Sequence, residues 1–104
     1  MAKPHSSSLF GRRLRDARER KGLPQDRLGV LIGLDESCSS ARISRYENGV
    51  HEPPYEIAEK LAAALQIPTA YLYCREDDLA MLLLVIANLP AAKRAQLGKL
   101  IGEL

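Results

Sequence analysis

A chain of 104 residues holds one domain with a modest core, one that a partner chain could enlarge. Its net charge is only +2, but residues 1–50 carry ten Lys/Arg against six Asp/Glu while residues 51–104 carry five against seven, so the first half is basic and the second acidic. The two cysteines form no CxxC pair, the two histidines have no zinc-finger spacing to them, and no glycine-rich phosphate loop occurs; a zinc finger is excluded, an enzyme is disfavoured, and no metal or cofactor is expected.

Residues 1–8 are polar, with Pro4 and three serines, and read as a frayed tail. MAKPHSSS lacks the apolar run of a signal peptide, and the apolar stretch Leu79–Leu89 is too short to cross a bilayer. A soluble, cytoplasmic protein with free thiols at Cys38 and Cys74 is expected. Ser8 suits an N-cap before a first helix, Leu9 to Lys21, whose Phe10, Leu14 and Ala17 share one face. Arg12, Arg13, Arg15, Arg20 and Lys21 lie mostly off that face, while Arg18 falls beside it. Gly22 then supplies a C-cap, and Pro24 opens the first turn of a second helix, Gln25 to Ile32, with Leu28, Leu31 and Ile32 on one side.

The polar run Asp35-Glu36-Ser37-Cys38-Ser39-Ser40 reads as a loop. A third helix, about Ser40 to Asn48, offers the core only Ile43, Tyr46 and Ala41; its other positions are Ser40, Arg42, Ser44 and Arg45. Packing alone explains such a thin apolar stripe poorly. A helix held from behind and pushed into a nucleic-acid groove explains it well. After the VHEPP loop, Tyr55 to Gln66 is amphipathic through Ile57, Leu61, Ala64 and Leu65, and a short fifth helix follows at Ala70 to Tyr73 with Leu72 inward.

Residues Gln25, Leu28, Gly33, Leu34, Ile43, Ser44, Tyr46, Glu47 and Gly49, ending in ISRYENG, resemble the helix-turn-helix of the phage-repressor family, of the Cro-like or xenobiotic-response-element type. The resemblance covers Leu9 to Tyr73. It implies an all-α fold, a five-helix lambda-repressor-like domain over 9–74, with double-stranded DNA as partner. In that family about six residues separate the glycine after the second helix from the isoleucine of the third; here Gly33 to Ile43 is ten, which predicts a lengthened turn around Asp35–Ser39. The resemblance also implies that Ser40, Ala41 and Arg45 face bases. Arg45 is suited to bidentate contact with guanine, and Arg42 is placed to read a base or clamp a phosphate. Gln25, Ser39, Ser44 and Asn48 are the expected phosphate contacts, and Arg18 and Glu47 the expected buried ion pair.

Residues 75–104 are extra to that domain. Glu76, Asp77 and Asp78 favour a helix start, the run Leu79–Leu89 is apolar almost all round, Asn88-Leu89-Pro90 breaks it, and a last helix follows to about Glu103. This C-terminal two-helix hairpin is expected to pair two chains through Leu79, Leu82, Leu83, Ile86, Leu97, Leu100 and Ile101; the other reading packs it onto helices one and five. The chain thus reads as a sequence-specific transcriptional regulator, a repressor acting as a homodimer. The alternative is an antitoxin-like protein whose tail holds a toxin partner and which represses its own operon.

Overall fold

The computed structural model describes residues 8–104, so the tail expected over residues 1–8 falls, except for Ser8, outside the described residues. The elements in order are α1 (Leu9–Lys21), α2 (Gln25–Leu31), α3 (Glu36–Glu47), α4 (Tyr55–Leu65), a 3-10 helix (Thr69–Tyr73), α5 (Asp77–Ala87) and α6 (Ala91–Gly102). The fold is all-α: a five-helix domain with a two-helix C-terminal extension.

Local chemistry sets most boundaries. The Ser8 hydroxyl accepts from the Gly11 N–H at 2.9 Å, and Gly22 closes α1. Pro24, Pro54, Pro68 and Pro90 each precede a helix in extended conformation. They sit one residue ahead of the first helical position, where the missing N–H is of no consequence and the fixed φ leads the chain in.

Phe10, Leu14 and Ala17 of α1, Leu28 and Ile32 around α2, Ile43 and Tyr46 of α3, Leu61 and Leu65 of α4, and Tyr71 and Leu72 form one core. Leu31, expected on the same face as Leu28, stays exposed; Leu28 and Ile32, four apart, make the inward stripe of a helix that is only seven residues long. Arg13, expected off the core face, is 4% exposed. Its Nε donates to the Cys74 carbonyl at 2.8 Å, its Nη2 to the Arg75 carbonyl at 3.0 Å, and Nη2 pairs with Asp77 at 2.9 Å. The guanidinium also lies 5.6 Å from the centre of the Tyr71 ring. A buried cation is tolerated because its donors are met, and this one ties α1 to the start of α5.

Candidate nucleic-acid interface

The third helix begins four residues earlier than the sequence suggests. Asp35 is its N-cap and accepts from the Ser37 N–H at 2.9 Å, and the Ser37 hydroxyl donates to the same carboxylate. These bonds, the hydroxyl first and the amide second, hold the Asp35 carboxyl below its ordinary range. Glu36 in the first turn also complements the helix dipole. The expected lengthened turn around Asp35–Ser39 is therefore corrected: the connection is Ile32 to Asp35, made tight by Gly33 at φ 97, a conformation that strains any other residue. The four additional residues form an extra first turn of α3, about 6 Å of helix at 1.5 Å per residue.

This extension changes the roles of two residues. Ser39, expected at a phosphate, is fully buried. Its hydroxyl donates to the Asp26 carbonyl at 2.5 Å, and a Cβ on Gly29 would lie 1.9 Å from the Ser39 oxygen. The site is a close crossing of α2 and α3, which admits a glycine against a serine and no solvent contact, so Ser39 cannot reach DNA. Cys38, read as a loop residue, is half-buried on α3.

The rear of α3 is held by charge as well as packing. Glu47 is fully buried, and Arg18 Nε donates to its Oε2 at 2.5 Å while Arg18 Nη2 donates to Oε1 at 3.1 Å. Arg18 Nη1 also donates to the Leu23 carbonyl at 2.9 Å, and the hydrogen bond to Glu47 raises the arginine's pKa. Gln25 Nε2 adds a third donor to Glu47 at 3.0 Å, and Arg15 Nε lies 3.5 Å from it. One carboxylate thus gathers α1, the start of α2 and the end of α3. Gln25 and Asn48, both expected at phosphates, have their amides occupied by protein. The Gln25 carbonyl oxygen accepts from Ser40 at 3.4 Å; Asn48 accepts from Arg15 at 2.8 Å and donates to the Ser44 hydroxyl at 3.3 Å.

What remains outward is a row. Ser37, Ala41 and Arg45 are exposed and spaced four residues apart, so they stand along one line of the helix. Ser40 is exposed on the flank toward α2, while Arg42 and Ser44 are half-buried. Ser37 was hidden from sequence reading by the loop assignment; an Asp followed by an acidic first turn is the signal that finds it.

In the extension, Ala80 is buried and Leu84 packs against the core, so α5 leans on the domain along one edge only. On its other sides Leu79, Met81, Leu82 and Val85 are exposed, and in α6 Leu100 and Ile101 are exposed by 62% and 52%. Leu83, Ile86 and Leu97 are half-buried. No residue of α6 is buried, and the radius of gyration of 15.3 Å exceeds the ~13 Å of a compact chain of this size. Packing of the whole extension onto helices one and five is therefore not what forms. Among the described residues no helix is long and apolar enough to cross a membrane, and no group of three or more His, Cys, Asp or Glu side chains could hold a metal ion.

Comparison with known proteins agrees with this geometry. A family profile described as a helix-turn-helix domain matches residues 9–71. The crystal structure of the transcriptional regulator BswR is similar at 45% sequence identity, covering 90% of this chain and 93% of that one with a TM-score of 0.86. Among curated proteins, none matches.

Proposed function

The chain belongs to the helix-turn-helix family of DNA-binding transcriptional regulators, and from that premise we propose that it is a sequence-specific repressor that binds duplex DNA as a homodimer, with α3 in the major groove. The observation that carries this is the outward row Ser37, Ala41 and Arg45 on a helix whose opposite side is locked by Ser39, Ile43, Tyr46 and Glu47. The major groove admits one helix, and residues toward its N-terminal end meet base edges. Arg45 reads guanine through two donors, Ala41 meets a thymine methyl, and Ser37 and Ser40 give or take one hydrogen bond. Arg42, and Ser44 beside Asn48, lie where the strands' phosphates flank an inserted helix.

One domain makes too few contacts for tight binding. The exposed apolar side chains of α5 and α6 support pairing of two chains, which sets two α3 helices on half-sites about one turn, ~34 Å, apart. The test is a salt titration of binding to duplexes selected from a random pool, with sedimentation of the free protein. A steep linear fall of log affinity with log salt and a dimeric mass are expected. A flat salt response refutes the DNA role. A monomer that pairs only with a different protein favours the antitoxin reading, in which the same apolar surface holds a toxin.

A further inference from the structure

A cavity of about 260 Å3 opens where the C-terminal ends of α1 and α4 meet α5. Its inner wall is apolar, made by buried Ala17 and Leu65 and half-buried Ile67 and Leu84. Its rim is Arg20, Lys21, Gln66 and Asn88, all exposed. The lining therefore holds two cations and no carboxylate. Neither cation forms a salt bridge among the described residues; Arg20 instead touches the Met81 sulfur at 3.4 Å.

Gln66 is the second observation. Among the described residues it is the one non-glycine residue at positive φ, 59°, in the position after α4 where glycine is at ease. That conformation closes α4, the Gln66 N–H meeting the Ala62 and Ala63 carbonyls, and it leaves the Gln66 side chain in the lining of the cavity. Here Lys21 donates to the Gln66 side-chain oxygen, which holds the amide beside the rim cations.

We propose that this cavity binds a small organic monoanion, a carboxylate with a short apolar chain, and that the bound anion acts as an effector. The carboxylate accepts from Arg20, Lys21 and the Gln66 amide, and the chain lies on Ala17, Leu65, Ile67 and Leu84. The volume lies just below the usual range of ligand pockets, which suits a metabolite rather than a nucleotide cofactor. The effector role rests on the regulator reading above. The walls come from both parts of the protein: Leu84 belongs to α5 and Asn88 caps it, while Ala17 precedes Arg18, which holds Glu47 of α3. Occupancy therefore sets how α5 leaves the domain, and through the dimer the spacing of the two α3 helices.

Octanoate is the probe, with octanol as its neutral counterpart, added to the full chain and followed by amide NMR. Saturable shifts at Ala17, Leu65, Gln66, Ile67 and Leu84 are expected, with octanol binding more weakly. The double variant Arg20→Gln/Lys21→Gln loses charged hydrogen bonds on an exposed rim, so it stays folded and binds octanoate at least about tenfold more weakly. Gln66→Gly relaxes the backbone, melts no lower than the parent, and also binds more weakly. Shifts that do not saturate, or that fall on Leu82, Val85, Leu100 and Ile101, overturn the site, and equal binding of octanol overturns the anion. Octanoate is expected to change affinity for a selected duplex by about fivefold or more; unchanged affinity overturns the effector role. Probe binding is read without DNA, so a protein that takes octanoate but binds no duplex refutes the regulator reading and keeps the site.

Discussion

Replacing Glu47 by alanine removes the acceptor on which three helices converge. The carboxylate is fully buried and receives two hydrogen bonds from Arg18 and one from Gln25, and the Arg18 side chain is only 12% exposed. Without Glu47 that guanidinium keeps the Leu23 carbonyl and little else. Stranding one member of a buried pair costs ~3–5 kcal/mol, a large share of the ~5–15 kcal/mol that holds a domain of this size together. At ~4–8 °C per kcal/mol, the melting midpoint falls by roughly 12–40 °C. The double variant Arg18→Met/Glu47→Leu removes both charges and keeps similar volume, so it recovers most of the loss. Urea unfolding followed by far-UV circular dichroism, at fixed protein concentration, measures Glu47→Ala, the double variant and its singles Arg18→Met and Glu47→Leu, and the last three give the coupling between the two sites. A Glu47→Ala loss under about 1 kcal/mol, or a double variant as unstable as the sum of the singles, refutes the idea that this pair braces α3.

Three further outcomes follow from the same geometry. Gly29→Ala drives a methyl to 1.9 Å from the Ser39 oxygen and 2.9 Å from its Cβ, so it costs ~1–3 kcal/mol in urea unfolding, and adding Ser39→Gly recovers part of it; a neutral Gly29→Ala contradicts the close crossing of α2 and α3. The Asp35 pKa is lower folded than its ordinary 3.8, so its support of the first turn of α3 is complete above that value and fades as pH falls through the lower folded one. Amide protection at Ser37 and Cys38, taken relative to the intrinsic exchange rate at each pH, should then fall in acid, and Asp35→Asn should abolish that transition. Leu82→Glu combined with Leu100→Glu places charge on both exposed apolar faces; sedimentation should then show a monomer with unchanged helix content, and an undiminished dimer mass sets the interface elsewhere.

Much of the architecture could be read from residues with local signals. Ser8 and Gly22 bracket α1, and prolines before α2, α4, the 3-10 helix and α6 mark their starts. What escaped was local structure that carries no apolar period. Asp35 to Ser40 holds no large apolar residue, so it resembles a loop, yet its capping carboxylate makes it the first turn of the exposed helix. Ser39 enters the interior because it is small enough to meet Gly29, a fit of shape that hydrophobic patterning does not register. Arg13 was hidden for another reason. Its partners Cys74, Arg75 and Asp77 are more than sixty residues away, and only the folded chain brings their oxygens to one guanidinium. The apolar character of α5 and α6 was plain from the run Leu79–Leu89, but how little of it the domain covers required the structure, since Ala80 alone of α5 is buried.

The central claim is that α3 reads DNA along its outward row, with Arg45 as the chief reader. Selection of bound duplexes from a random pool by the parent protein and by Arg45→Ala tests it most directly. The Arg45 side chain is exposed and makes no hydrogen bond or salt bridge among the described residues, so the variant should keep its stability. In the variant, preference for one base pair per half-site should relax by ~1–3 kcal/mol while the other positions keep theirs. An Arg45→Ala protein that selects the parent's sequences with undiminished preference at every position would contradict it.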